Sequence, residues 1–177
     1  MSKNKSGLII VERKYENRIV LFIDILGFKA IIDNTINGEE DNLVKIDMLY
    51  NNLIEIKKFL KSNLNHAVYF GRKKPFEVTQ FSDSIIISFI YENIDSLYKL
   101  IKVIQALTIN LVNKGILFRG AISYGKLIHN KELIFGPALN EAYETETRAA
   151  LYPRIILDKS ILDIYKEQQM SLFEELS

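Results

Sequence analysis

Residues 18–32, RIVLFIDILGFKAII, hold the pattern that decides the fold. Their apolar part, residues 19–23, is rich in β-branched and aromatic side chains, which predicts a central strand covered on both faces. The apolar run ends at one carboxylate, Asp24. Because burying a lone carboxylate costs several kcal/mol, this aspartate either holds a cation or caps the helix that follows. The stretch by itself leaves both possibilities open.

Gly27 follows the aspartate and lets the backbone turn closely, after which residues 28–32 resume with helical spacing. The stretch therefore predicts a strand, an acidic turn and a helix N-terminus. Such a turn exposes backbone N–H groups beside the positive end of a helix dipole, which suits a phosphate group.

Composition limits the classes of function. The 177 residues are enough for one compact domain with a real core. The 23 Lys and Arg residues nearly balance the 22 Asp and Glu residues, so we expect neither nucleic acid nor a membrane as a stable partner. The absence of cysteine excludes disulfides and thiolate metal sites, and only two histidines are present. Any metal ion must be a hard one held by oxygen.

The opening MSKNKSGLII lacks the apolar core of a signal peptide. No apolar run approaches the ~20 residues that a membrane span needs. We therefore expect a cytoplasmic protein.

A second notable carboxylate lies in residues 76–89, where two short apolar strands meet at Ser82 and Asp83. This pattern predicts a hairpin with Asp83 at its tip. Aspartate is also a common turn residue, so a purely structural role for Asp83 stays open.

Other segments complete the predicted order of elements. Arg119 stands among apolar neighbours in a predicted strand, and a half-buried arginine needs an anion. The segments are a polar start with an edge strand at 8–11, a turn at 34–38, a helix at 41–61, a strand at 67–70, a basic loop at 71–75, a helix at 93–113, a strand at 116–125, a hairpin arm at 126–135, a helix at 137–148, a strand at 152–158 and a helix at 160–177. The order β-α-α-β-β-α-β-β-α-β predicts an α+β fold of ferredoxin-like type, with helices packed on a mixed, mostly antiparallel sheet.

Four blocks of the sequence resemble, in order, the four blocks of class III nucleotidyl (adenylate/guanylate) cyclases. They are FIDILGF at 22–28, FSDSII at 81–86, FRGAISYG at 118–125 and FGPALNEA at 135–142. The resemblance covers residues 18–158, between a polar N-terminal segment, 1–17, and a C-terminal helical extension, 159–177. Within the class, GPALNEAYE and YPRI look most like the small pyrimidine (uridylate/cytidylate) cyclases of Pycsar anti-phage defence.

The resemblance implies a nucleotidyl cyclase fold and a role for each block. Asp24 and Asp83 would hold two divalent cations, Mn²⁺ or Mg²⁺, on a nucleoside triphosphate. The remaining implied contacts are a metal-binding carbonyl of Ile25, phosphate-binding amides of Leu26, Gly27 and Phe28, and a triphosphate contact from Arg119.

Two departures from the family concern the base. The position of the lysine or glutamate that reads a purine is Thr79, and its usual partner position is Leu133. A short hydroxyl and an apolar side chain cannot reproduce the purine-reading pair, which fits a different base.

Another departure concerns the transition state. The helix asparagine is kept as Asn140, but Glu144 replaces the arginine expected one turn later. Arg148 lies two turns from Asn140, about 12 Å along the axis, so it cannot simply take over. Arg154 or a residue of the basic loop is the candidate substitute; otherwise catalysis is weak. The alternative for Arg154 is a structural pair with Glu144 or Glu146 that joins the strand to the helix.

The expected function is a homodimeric cyclase that converts UTP or CTP to a cyclic monophosphate and pyrophosphate. The resemblance implies an active site between protomers and a separate effector that binds the product. The alternatives are a cyclase-like nucleotide-binding module without turnover, and an ATP or GTP cyclase with an unusual base pocket.

Overall fold

The computed structural model describes residues 13–67, 76–91 and 93–175, and their side chains except those of 65–67 and 171–175. The elements, in chain order, are β1 (Glu16–Ile25), α1 (Phe28–Asp33), β2 (Ile36–Asn37), β3 (Glu40–Asp41), α2 (Leu43–Ala67), β4 (Phe76–Phe81), β5 (Ser84–Ile90), α3 (Ile94–Val112), β6 (Phe118–His129), β7 (Ile134–Phe135), α4 (Pro137–Ala149), β8 (Ile155–Leu157) and α5 (Lys159–Glu175). They form a mixed, mostly antiparallel sheet with packed helices, which confirms the predicted α+β fold.

Strand β1 is the centre of the main sheet. It pairs antiparallel with β5 on one side and with β6 on the other, and β4 extends the sheet beyond β5. Strand β8 lies parallel to β6. Residues 19–23 of β1 are at most 7% exposed, so the prediction of a central strand covered on both faces is confirmed.

The two faces of the sheet bury different cores. Ile19, Leu21 and Ile23 pack in the larger core, to which α2, α3 and α5 contribute apolar side chains. Val20 and Phe22 point to the other face, where they pack with residues of α4. This alternation follows from the two-residue period of a strand. We call the second face the α4 face.

Helix α4 lies close against its face of the sheet because small residues line the contact. Ala138 and Ala142 are fully buried there, and Ser123 Oγ donates a hydrogen bond to the Ala138 carbonyl at 2.6 Å. A side chain at Gly136 would place its Cβ 2.6 Å from the Lys126 carbonyl oxygen. Glycine at position 136 thus allows the backbone to pass close to Lys126 of β6 at the start of α4.

Several predicted boundaries were wrong. The arm predicted at 126–135 is divided: residues 126–129 continue β6, and β7 is only Ile134–Phe135. The cause is that β1 begins at Glu16 and pairs Glu16 with Leu127, which extends β6 beyond the expected end. Helix α2 continues to Ala67, and a small hairpin of β2 and β3 fills the predicted turn.

Other predictions fall outside the described residues, namely the edge strand at 8–11, residues 68–70 of the strand expected at 67–70, and the basic loop at 71–75. Ala67, its first residue, ends α2 instead. In the part of the chain that the structure describes, no helix is long and apolar enough to cross a membrane.

Candidate functional site

The two predicted carboxylates, Asp24 and Asp83, lie close together where strand β1 ends and the β4–β5 hairpin turns. Asp24 stands near the end of β1, paired in register with Ser84, the first residue of β5. Asp83 directly precedes Ser84 in the β4–β5 turn, and its carbonyl accepts a hydrogen bond from the Ile25 amide at 3.1 Å. Ser82 closes this turn with φ 54°. The hairpin therefore fixes Asp83 beside the end of β1.

The charges of the two aspartates interact. Burial raises the pKa of the Asp24 carboxyl above its usual value, the charge of Asp83 raises it further, and Arg119 opposes both effects. The Asp24 side chain is 22% exposed, so a ligand can reach it. A bound cation would relieve the repulsion between the carboxylates.

The donor set fits a hard divalent cation that also binds a nucleotide. Among the described residues, no group of three or more His, Asp or Glu side chains could hold a metal ion. Mg²⁺ is commonly held by one or two carboxylates together with substrate phosphates and water. Asp24 and Asp83 supply such a pair, while the Ile25 carbonyl remains a predicted third ligand.

Arg119 has two carboxylate neighbours. Its Nε lies 3.4 Å from Asp24 Oδ2 and 2.5 Å from Glu146 Oε1. The Glu146 side chain is 3% exposed, and neither Arg119 Nε nor Glu146 Oε1 makes a hydrogen bond of good geometry. The anion that Arg119 needs is thus supplied within the chain by a residue that the sequence reasoning missed. The sequence did hold a signal that Glu146 is buried, because it follows Ala138 and Ala142 at intervals of four residues on the buried face of α4.

The turn after Asp24 is only partly available for phosphate. The Leu26 amide donates to the Leu117 carbonyl at 2.9 Å, so it is occupied within the chain, contrary to expectation. Gly27 adopts φ 71° and Phe28 opens α1, and their amides remain the predicted phosphate donors. Because Gly27 is the N-cap of α1, the alternative in which Asp24 caps this helix is wrong.

Thr79 lies on the α4 face and contacts a histidine. Its Oγ1 is 2.9 Å from His129 Nε2, and His129 Nδ1 is 2.8 Å from Ser88 Oγ. Burial, together with the nearby charge of Arg18, lowers the pKa of His129 to about 4, so the imidazole is neutral at pH 7. Leu133 is exposed in the turn that follows His129, where its carbonyl accepts from the Asn130 amide at 3.0 Å.

Asn140 is not directed at the carboxylates of its own chain. The residues of α4 that face the sheet are Ala138, Ala142 and Glu146, and Asn140 is exposed on the outer side of the helix. At about 100° per residue, Asn140 lies some 200° around the helix from Ala138. Glu144 is exposed as well and pairs with Arg148 at 3.0 Å.

Arg154 supports the end of α4. Its guanidinium donates to the Ala149 carbonyl at 2.5 Å and lies 6.0 Å from the centre of the Tyr152 ring. Its own carbonyl accepts from the Gly120 amide at 3.0 Å. The alternative that Arg154 pairs with Glu144 or Glu146 is wrong, since those residues pair with other arginines. Strand β6 separates Arg154 from Asp24.

The structure therefore brings Asp24, Asp83 and Arg119 together, and it places Thr79 against His129, with Leu133 in the turn that follows this histidine. Asn140 and Arg154 lie apart from both groups.

Comparison with known proteins supports the fold. No protein-family model matches the chain, and no curated protein matches it. The crystal structure of an adenylate/guanylate cyclase/hydrolase from Silicibacter pomeroyi matches it with a TM-score of 0.51 and 16% sequence identity. The match covers 77% of this chain and 72% of the other. The chain thus has a nucleotidyl cyclase-like fold.

Proposed function

We propose that this protein is a metal-dependent pyrimidine nucleotide cyclase. It converts UTP or CTP to the 3′,5′-cyclic monophosphate and pyrophosphate. The observation that carries the proposal is the meeting of Asp24 and Asp83 at one edge of a cyclase-like sheet, with their charges interacting. A carboxylate whose pKa is shifted by burial and by a charged neighbour, as that of Asp24 is, is typical of functional sites.

In this reaction the ribose 3′-oxygen loses its proton and attacks the α-phosphorus. The new 3′-O–P bond forms as the bond to pyrophosphate breaks, and the proton leaves to solvent. Two bound divalent cations would supply charge neutralisation and a lowered pKa for the attacking hydroxyl. Asp24 and Asp83 would hold these ions. Arg119, which pairs with Asp24 and Glu146 in the chain, would also contact the triphosphate from the neighbouring strand.

In this proposal the side chains of Thr79 and Leu133 determine which nucleotide base is bound. Neither side chain has the length or charge to reproduce a purine-reading pair. The hydrogen bond between Thr79 and His129 keeps the threonine side chain close to the sheet. This arrangement suits a pyrimidine.

A homodimer completes the site. Asn140 is exposed and turned away from Asp24 of its own chain. In the proposed homodimer it would contact a nucleotide held by the partner. Phe81, beside the predicted metal site, is 79% exposed, and Tyr143 on α4 is 54% exposed. Exposed aromatic side chains of this kind are enriched in protein interfaces.

The cellular role follows from the resemblance to Pycsar cyclases. The cyclic nucleotide acts as a second messenger in bacterial anti-phage defence, and a separate protein that binds it is the effector.

A product assay tests the proposal. The purified chain is incubated with each of the four nucleoside triphosphates and Mn²⁺ or Mg²⁺, and products are identified by liquid chromatography and mass spectrometry. Cyclic UMP or cyclic CMP with equal pyrophosphate supports the proposal. Cyclic AMP or cyclic GMP would identify a purine cyclase instead.

A second candidate function is a nucleotide-binding module without turnover, favoured by Glu144 at the position of the expected arginine. Nucleotide binding without any cyclic product would support the module.

A further inference from the structure

Tyr143 on α4 has an anchored ring and a hydroxyl that the chain itself does not use. Its ring and that of Phe22 lie 5.6 Å apart between centres and 89° apart between planes, an edge-to-face contact that favours this arrangement. Tyr143 is still 54% exposed. Within residues 13–67, 76–91 and 93–175, its hydroxyl has no hydrogen-bond partner. The contact with Phe22 therefore holds the ring and leaves the hydroxyl free to bind a ligand.

Phe22 places this phenol beside the predicted metal site. Its side chain packs on the α4 face of the sheet. Asp24 follows Phe22 by two residues on β1, so the two side chains lie on the same face of the strand, about 6.5 Å apart. Tyr143 thus contacts the neighbour of Asp24 on that face.

Helix α4 places Tyr143 at the same position a second time. Glu146 follows Tyr143 by three residues, which makes the two neighbours on the surface of the helix. Glu146 Oε1 is 2.5 Å from Arg119 Nε, and the same nitrogen is 3.4 Å from Asp24 Oδ2. The part of α4 that contains Tyr143 therefore lies over the end of β1 at which Asp24 stands.

The chemistry of the proposed reaction needs a donor at this place. A cation held by Asp24 brings the phosphates of a bound nucleotide to this end of the α4 face. Negative charge grows on the phosphate oxygens as pyrophosphate leaves, and a fixed hydrogen-bond donor that meets this charge lowers the barrier. Arg119 is one donor, but its Nε already lies between two carboxylates. A phenol hydroxyl has one proton to donate, and that of Tyr143 is not engaged within the chain.

We propose that Tyr143 is a catalytic residue, whose hydroxyl donates a hydrogen bond to a phosphate oxygen of the nucleotide held by Asp24 of the same chain. The inference rests on the proposed function and adds a residue to its site. The hydroxyl keeps its proton throughout the reaction. It stabilises the charge of the transition state and takes no part in removing the proton from the ribose.

Tyr143→Phe tests this role because it removes the hydroxyl and keeps the ring against Phe22. The nucleotide is the one that the unaltered protein cyclises. We expect kcat to fall at least about tenfold and KM to change less than about twofold, since the donor meets charge that grows only in the transition state. Unchanged kcat overturns the inference and leaves the cyclase standing.

Tyr50→Phe is the matched control. Tyr50 is 63% exposed on α2, a helix that contributes to the core on the opposite face of the sheet. Its loss of a hydroxyl should leave both kinetic parameters unchanged. An equal fall in kcat for the two variants would show that the effect is not specific to Tyr143 and overturns the inference.

Protein concentration separates catalysis from a dimer contact, since Tyr143 is exposed enough to lie in an interface. Dimerisation is favoured by mass action, so a weakened dimer recovers turnover at high protein concentration, whereas a missing donor does not. Recovery of normal turnover by Tyr143→Phe overturns the inference. A fall in thermal stability large enough to explain the lost turnover would assign the hydroxyl to the fold and overturns it too.

A purified mixed dimer of one Asp24→Asn chain and one Tyr143→Phe chain tests which nucleotide Tyr143 serves. If both residues act in the same protomer's site, neither site is intact, and product formation stays at or below that of Tyr143→Phe. Recovery to about half the activity of the unaltered dimer would place the two residues in different protomers' sites and overturns the inference. The absence of any cyclic product from the unaltered protein with all four nucleoside triphosphates overturns the proposed function, and this inference with it.

Discussion

Arg119 Nε lies 2.5 Å from Glu146 Oε1, and the Glu146 side chain is 3% exposed. The same nitrogen is 3.4 Å from Asp24 Oδ2. The guanidinium of Arg119 therefore lies between two carboxylates, that of Asp24, which is a predicted metal ligand, and that of Glu146, which is buried on α4. We therefore expect Glu146 to weaken the pairing between Arg119 and Asp24, which would leave the Asp24 carboxylate available to a divalent cation.

Glu146→Gln should weaken metal binding. The change keeps the shape of the side chain but removes its charge, so Arg119 pairs more strongly with Asp24 and must be displaced by the ion. We expect the half-saturating Mn²⁺ concentration, measured by calorimetry without nucleotide, to rise several-fold, up to roughly tenfold. Glu144→Gln is the matched control, because Glu144 is exposed on the same helix and pairs with Arg148. Equal effects of the two variants would show that Glu146 acts only through net charge.

Asp24→Asn and Asp83→Asn should each abolish cyclisation, with a loss of at least about a hundredfold in product formation. Each variant removes one charged metal ligand. Because burial and the charge of Asp83 raise the pKa of Asp24, the folded protein tolerates a neutral side chain at that position. Thermal unfolding should therefore show no loss of stability for Asp24→Asn. A variant with near-normal activity would remove its aspartate from the site, and a variant that does not fold would favour a structural role.

Local signals predicted much of the fold, because the residues that make them act at short range. Asn93, a residue type that favours helix N-caps, caps α3, with its Oδ1 accepting from the Ser96 amide at 3.1 Å. Gly115 ends that helical segment with φ 72°. The hairpin around Asp83 was predictable because apolar strands flank two turn residues.

The contacts between site residues and other residues of the chain could not be predicted from the sequence, because they depend on how elements that are distant in sequence pack against each other. The sequence showed that Arg119 needs an anion, but Glu146 reaches it only because α4 packs across β1 and β6. His129 meets Thr79 because β6 continues past Gly125, where the sequence predicted a separate arm. The length of β6 was set by its partner strand rather than by its own residues.

Mixing two inactive variants should restore activity if the active site lies between protomers. Asp24→Asn lacks a metal ligand, and Asn140→Ala lacks the side chain offered to the partner's nucleotide. A mixed dimer has one intact site, so random pairing should recover about a quarter of the activity of the unaltered protein. The two chains are co-expressed with different tags, and product formation is compared with that of each variant by itself. No recovery in a purified mixed dimer would place both residues in the same protomer's site.

Arg154→Ala should lower turnover far more than nucleotide binding if Arg154 stabilises the leaving pyrophosphate. A well-placed arginine is commonly worth several kcal/mol in phosphoryl transfer. The structure shows this guanidinium on the Ala149 carbonyl at the end of α4, so it must leave that position to serve the reaction. Arg148→Ala is the control, since Arg148 is exposed and pairs with Glu144. Equal losses in thermal stability and in both kinetic parameters for Arg154→Ala would assign it to the helix end alone.

Stability should fall as the pH drops from about 6.5 to 4, because His129 resists protonation in the folded protein. Its pKa is lowered from 6.5 to about 4 by burial and by Arg18. In this window the unfolded chain binds a proton that the folded chain does not, so the free energy of unfolding decreases with falling pH. Above pH 6.5 the contribution is constant. His129→Gln removes the titrating group and keeps a donor and an acceptor, so its stability should change less across the window. Urea unfolding at pH 7.5, 6.0 and 5.0 gives the free energy of unfolding of both proteins. Both proteins have the same carboxylates, so the effect of carboxylate titration cancels in the difference between them. Parallel curves for the two proteins would show that His129 is protonated equally in the folded and unfolded states.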